Sequence, residues 1–201
     1  MTNLKLFPLQ VHQYSAPLLV LMLSLIAYLF DSQLSDTLIY QRHLIGQGQW
    51  WRFLSAHFFH TNGFHLTLNI AALTLLWALH GHFYTFKTYF LCFCLSALVC
   101  SIGIYFFSTE LEQYVGLSGV LHGLFVWGAI LEIQAKNKMG YLLLLAILLK
   151  IIHEQLFGAS ADVAQLIAAK VAINAHLWGA VGGGLPALIR GVILYMFPRK
   201  A

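Results

Sequence analysis

The sequence predicts an all-α polytopic membrane protein, a bundle of six transmembrane helices. Three observations predict it. Hydrophobic residues make up 60% of the 201 and charged residues only 9%, against roughly a quarter charged in an ordinary soluble domain. The mean hydropathy is +0.77. Apolar stretches recur at about 14–30, 64–79, 86–107, 117–133, 139–157 and 171–197, each near the ~20 residues that cross a bilayer as a helix. The 11 Lys/Arg and 7 Asp/Glu are too few to cover a soluble surface of this size. The hydrophobicity excludes a disordered chain. The composition excludes a collagen-like or disulfide-framework fold. A net charge of +4, spread as single residues, argues against a nucleic-acid partner.

The first stretch lacks both a strong positive leader and a small-residue cleavage site after Phe30, so it reads as an uncleaved anchor rather than a signal peptide. The segment 31–63 that follows carries Trp50, Trp51, Phe53, Phe58 and Phe59. It is expected to pack on the bundle or lie in the interface, where aromatic rings concentrate. The second stretch opens on polar residues, and the third is the plainest span. It contains Cys92, Cys94 and Cys100, which read as small buried apolar residues and leave the redox compartment open. The fourth and sixth are rich in glycine. Polar groups inside a span are costly and usually functional, so these weaker spans hold the chemistry.

Charge placement orients the bundle. With the N-terminus inside, the inner segments hold Lys5, Lys87, Lys136, Lys138, Arg199 and Lys200, with Arg190 near the end of the sixth span. The outer segments hold Asp31, Asp36, Glu110, Glu112, Glu154 and Asp162, and Glu132 is the exception. Arg42, Arg52 and Lys170 are the outer basic residues, and Lys150 falls within the fifth span. The positive-inside rule then puts both termini in the cytoplasm. Residues 1–201 read as one membrane domain. No cofactor fingerprint, P-loop or repeat is present, and neither cofactor nor metal is expected. His153-Glu154 begins like HExxH, but Phe157 stands where the second histidine belongs.

Four groups can do chemistry. His60, His65 and Asn69 open the second span as HxxxxHxxxN; Ser118 sits in Gly116-Leu117-Ser118-Gly119 at the start of the fourth; His176 sits in Ala175-His176-Leu177-Trp178-Gly179 at the start of the sixth; and Trp51-Arg52 lies in the first outer segment. Even-numbered spans all run inward, so the three span motifs share one depth near the outer face. His65 and Asn69, four apart, share a helix face. A serine becomes nucleophilic when a base takes its proton, and His176 is the base expected for Ser118. The Ser118 N–H, Asn69 and His65 are expected to receive the oxyanion, each well-placed donor contributing roughly 3–4 kcal/mol. Because Glu154 and Asp162 lie at or beyond the outer ends, no carboxylate is expected beside His176. The reading is therefore a Ser–His dyad rather than a triad. His60 and Arg52 read as loop organisers.

These motifs, in this order, resemble the rhomboid family of intramembrane serine proteases. The WR, HxxxxHxxxN, GxSG and AHxxG patterns match Trp51-Arg52, His60/His65/Asn69, residues 116–119 and residues 175–179. The resemblance implies a six-helix core, Ser118 as nucleophile, His176 as base, and His65 and Asn69 at the oxyanion hole. It also implies a single-span membrane protein as substrate. Gly179 and Gly183 should bring the fourth and sixth helices together, as small residues allow. Where many relatives carry tyrosine one turn after the serine, this chain has His122, placed to stack on His176 or restrain it by a hydrogen bond. The run Gly-Leu-Ser-Gly-Val-Leu-His-Gly resembles the rhombosortase subgroup, which implies removal of C-terminal Gly-Gly sorting tails at the outer face of a bacterial inner membrane. Two other readings stand beside this one: a catalytically inactive rhomboid-like binder, and a metal or haem protein with His65, His122 and His176 on one ion.

Overall fold

The computed structural model describes residues 7–196, the side chains of residues 187, 188 and 190–196 aside. Lys5, Arg199 and Lys200, which the orientation reading uses, lie outside the described residues, as does the Arg190 side chain. Helix α1 is Val11–Leu29. The outer segment that follows contains α2 (Asp31–Leu38), the short strand β1 (Tyr40–Gln41), α3 (Arg42–Gly46), α4 (Arg52–Ser55) and a 3-10 turn at Ala56–Phe58. Next come α5 (Gly63–His80), α6 (Phe86–Phe107), β2 (Gln113–Tyr114), α7 (Ser118–Gln134), α8 (Met139–Phe157), α9 (Ala161–Leu166) and α10 (Ile173–Met196).

The six long helices fall where the apolar stretches do. Among the described residues, four are long and apolar enough to cross a membrane by length and composition: Val11–Leu29, Gly63–Phe83, Phe86–Phe107 and Met139–Phe157. The starts are chemically marked. Asn62 caps α5 by accepting the His65 N–H at 2.8 Å, and Thr85 and Thr88 form a reciprocal capping box at α6.

Burial sorts the helices. Eleven of the 17 residues of α7 are buried, including Gly119, Gly123 and Gly128, so α7 is the central post. In α8 four of 19 are buried, Glu154 among them, and α8 sits at the rim. Glycine makes the centre possible. A Cβ at Gly179 would collide with the Gly119 carbonyl, and one at Gly183 with the Gly123 carbonyl. Two glycine ladders thus let α7 and α10 touch backbone to backbone, as the GxxxG spacing predicts.

The connections alternate between the ends of the bundle. Residues 81–85 and 135–138 turn at one end, and the three longer segments 30–62, 108–117 and 158–172 gather at the other. Antiparallel pairing of β1 with β2, Tyr40 opposite Tyr114, ties the first two of these together. At the opposite end the exceptional acid, Glu132, is buried and accepts from Asn137 Nδ2 at 2.6 Å, with His82 Nε2 at 3.4 Å and His80 Nδ1 at 3.7 Å. That local network explains an acid at an end otherwise supplied with Lys87, Lys136 and Lys138.

The long outer segment divides its aromatics. Phe59 is buried and Phe53 and Phe58 half-buried, while Trp50 and Trp51 are exposed. Arg52, 2% exposed, organises the segment. Its Nη1 donates to Ile39 O at 2.6 Å, Nη2 to Asp36 O at 2.8 Å and Nε to Gln49 Oε1 at 2.9 Å.

Candidate active site

Ser118 is the first residue of α7, and Gly116 leads the chain into it at φ +131°, a conformation open to glycine. A Cβ at Gly116 would also lie 3.0 Å from His65 Cε1 and Nε2. Gly116 therefore supplies both the bend and the space. His176 stands in the first turn of α10. The glycine contact of α7 with α10 sets their side chains together, and Ser118 Oγ lies 3.0 Å from His176 Nε2.

The other face of His176 corrects the sequence reading. Glu154 Oε2 is 2.7 Å from His176 Nδ1, and Glu154 Oε1 accepts from Lys150 Nζ at 2.6 Å. The expected absence of a carboxylate beside His176, from which the bare dyad was derived, does not hold. Glu154 is at the outer end of α8, as the sequence indicates, but His176 is also at an outer end. The two are successive long helices, joined through the short α9 and running in opposite directions, so these turns share a depth. The proton positions follow. With Nδ1–H donating to the carboxylate, Nε2 keeps its lone pair and accepts from the Ser118 hydroxyl.

His122, one turn after Ser118, stacks on His176 with ring centroids 4.0 Å apart and planes 11° from parallel. Its Nδ1–H donates to Ser118 O at 2.7 Å. His122 thus fills the place of the usual tyrosine as a flat ring beneath the base.

His65 and Asn69 share the inner face of α5, both buried. The Thr61 hydroxyl donates to Ile167 O at 2.6 Å, and the Thr61 N–H to His65 Nδ1 at 3.4 Å. His65 Nδ1 also lies 3.1 Å from the Thr61 hydroxyl oxygen, and its Nε2 faces Gly116. Asn69 Nδ2 is buried without a hydrogen-bond partner, an expensive state for a donor unless something arrives to accept from it. His60 Nδ1–H donates to Phe58 O at 3.1 Å, and its ring meets His65 edge-on at 5.0 Å. Burial pushes His60 down to about 3, with His65 adding to the effect, so it is neutral at ordinary pH. Arg52 stays in the outer segment, away from these groups.

A cavity of about 430 Å³ opens among the gathered outer segments. Ser118, His60, His65 and Tyr114 line its inner part, with Asp31 and Lys170 among the rest of its lining. A second, of about 510 Å³, is lined by His176 together with Lys150, His153 and Glu154.

The ligand-grade cluster at this site is His122, Glu154 and His176, within 4.8 Å of one another. The metal reading had placed His65 in that position. An imidazole binds a metal through a lone pair in its ring plane, at ~2.0–2.1 Å. Two rings stacked 4.0 Å apart have no in-plane point in common. The residues in this arrangement do not fit a shared ion.

A further Ser–His contact exists. His57 Nε2 lies 2.9 Å from Ser101 Oγ and 3.1 Å from Ala97 O, and its Nδ1 is 3.2 Å from Gly116 O. The Ser101 hydroxyl donates to Phe53 O at 2.8 Å. Both side chains are fully buried, and burial pushes His57 down to about 4.

An all-helical, largely apolar bundle with Ser–His contacts at one end has the make-up of a serine hydrolase of the membrane. The chain belongs to the rhomboid family: the rhomboid domain matches residues 47–192. It is therefore a serine-type intramembrane protease. No curated protein matches the chain.

Sequence reasoning placed Glu154 out of reach and missed Lys150, Thr61 and Tyr114. The first two carried a signal, since a Lys and a Glu four apart in an apolar helix are a functional hint by default. Tyr114 lies in the two-residue β2 and Thr61 in the bend before α5, both too short for periodicity to mark them.

Proposed function

We propose that Ser118 is the nucleophile and His176 the general base of this protease. The 3.0 Å contact between them, at the inner end of an open cavity, carries the reading. Ser118 Oγ attacks the scissile carbonyl carbon while its proton passes to His176 Nε2. The oxyanion meets the Ser118 N–H, free at the start of α7, together with His65 Nε2–H and the partnerless Asn69 amide, with Gly116 leaving room for it. His176 returns the proton to the leaving amine, and water then hydrolyses the acyl-enzyme with the same base.

The substrate is a single-span membrane protein, unwound locally near the cut and cleaved near the outer face. Glycine lowers the cost of unwinding, which suits a C-terminal Gly-Gly sorting tail, the role implied by the rhombosortase-like run with His122. The reading includes one membrane domain over residues 1–201, six spans in a bacterial inner membrane, both termini cytoplasmic and the site toward the periplasm. The inner Lys87, Lys136 and Lys138 support that orientation.

The test is active-site labelling. A fluorophosphonate should modify Ser118 in the purified protein, with labelling lost in Ser118→Ala and His176→Ala while both variants still insert. Turnover retained in Ser118→Ala would overturn the reading. A substrate whose Gly-Gly is replaced by Leu-Leu should be cut more slowly; equal rates would remove the sorting-tail assignment.

A further inference from the structure

We infer that Glu154 is a positioning residue for His176, and that Lys150 is the counter-charge that keeps it effective, so that the site works as a Ser–His–Glu triad with a lysine behind it. The inference rests on Ser118 and His176 being the reacting pair.

The geometry is continuous. Lys150 Nζ, Glu154 Oε1, Glu154 Oε2, His176 Nδ1, His176 Nε2 and Ser118 Oγ follow one another through contacts of 2.6, 2.7 and 3.0 Å. Each carboxylate oxygen has its own partner. The Nδ1–H bond fixes the imidazole tautomer and its ring angle, and His122 supports the ring from one face. Glu154 and His176 are both nine-tenths buried, where an isolated carboxylate is costly.

Lys150 answers that cost. With it, lysine, carboxylate and neutral imidazole sum to zero at rest. When the serine proton moves, the imidazolium and the oxyanion appear together, and the sum remains zero. Without Lys150 the uncompensated carboxylate would favour the imidazolium, so that His176 becomes a proton acceptor only at higher pH. The charged and titratable groups around His176 are Glu154 and Lys150 from α8, His122 from α7 and His65 from α5. Of these, Glu154 and Lys150 carry the fixed opposite charges. The Lys150–Glu154 pair is half exposed at its lysine end, so as a surface ion pair it contributes little to stability. Its importance is to the charge and orientation of the base.

The pairing makes an unusual prediction. In Glu154→Gln, Lys150 draws the amide oxygen and leaves the NH2 facing His176 Nδ1. The histidine proton is then forced onto Nε2, where it blocks acceptance from Ser118. Glu154→Gln should therefore lower kcat by about 10³-fold or more, as loss of the carboxylate does in other triads, with KM changed little. Adding Lys150→Met lets the glutamine turn its oxygen to Nδ1, and kcat of the double variant should recover by about tenfold over Glu154→Gln alone. Lys150→Met by itself should move the acid limb of the kcat/KM profile to higher pH, and Lys150→Arg should restore it.

The measurement is a pH profile of purified full-length variants on one transmembrane substrate, with thermal unfolding alongside and Ser118→Ala as reference. If Ser118→Ala is inactive and Glu154→Gln keeps the wild-type kcat, the triad is wrong and the dyad stands. If Ser118→Ala is itself active, the underlying reading falls. A double variant no faster than Glu154→Gln, or an acid limb unmoved by Lys150→Met, overturns the role of the lysine. Should Glu154→Gln fail to fold, the Lys150→Met and Lys150→Arg profiles decide.

Discussion

The molecule contains two Ser–His contacts of almost equal length, 2.9 Å for Ser101–His57 and 3.0 Å for Ser118–His176, and they differ in where the serine proton goes. The Ser101 hydroxyl donates to Phe53 O, so its oxygen accepts from His57 and no proton is available for a base to remove. Backbone carbonyls surround the His57 ring on both edges. Ser118 instead faces a nitrogen whose lone pair is free, because Glu154 holds the proton on the other side of the ring. The first pair is fully buried and stitches the outer segment to α6. The second has one cavity beside its serine and another beside its histidine. Distance alone does not separate a structural contact from a reactive one; proton direction and access do.

The largest way to break this comparison is to remove each serine. Ser118→Ala should lower turnover by about 10⁴-fold or more, while Ser101→Ala should leave the rate per folded molecule within about threefold. A Ser101→Ala enzyme as inactive as Ser118→Ala, with an unchanged melting temperature, would exchange the two assignments.

The next effect is on stability. His57 is held near 4 in the folded protein against about 6.5 unfolded. A histidine depressed in this way stays neutral when folded and takes up a proton when unfolded. Its stabilisation is fully present above pH 6.5 and is lost as the pH falls toward 4, by up to about 3 kcal/mol. His60, held near 3, acts in the same sense and carries the loss on toward pH 3. Melting of the detergent-solubilised protein from pH 7 to 4 should show the loss, and His57→Gln should flatten it. An equal slope in His57→Gln would contradict the buried neutral ring.

Asn69→Ala should slow cleavage by about 10²-fold with melting preserved, the usual cost of one oxyanion donor. An unchanged rate would remove Asn69 from the oxyanion hole. The smallest effect expected is that of His122→Tyr. Either ring can stack on His176, so kcat should stay within about tenfold, with the difference concentrated in substrate preference. A loss as large as that of His176→Ala would give His122 a chemical part.

Much of this was legible in the sequence because hydropathy and motif spacing are local. The third and fifth helices begin and end where the apolar stretches do, and the start of α7 lies one residue from its expected position. Gly179 and Gly183 announced the α7–α10 contact. Glu154 was seen but placed out of reach, since position along a helix does not say which neighbouring helix reaches the same depth. His57 belongs to none of the sequence motifs. Nothing local shows that its ring lies between α6 and the loop before α7, 40 and 59 residues away.

The sequence by itself determined a helical membrane bundle and the pairing of Ser118 with His176, because apolar length, glycine spacing and the order of polar residues are written along the chain. Only the tertiary structure decided which side chains complete the site. Glu154 meets His176 across two helices, the Asn69 amide is left without a partner, and His57 is closed in by backbone carbonyls. Each depends on directions in space between segments far apart in sequence, and a linear pattern does not encode the angle at which two helices present their faces.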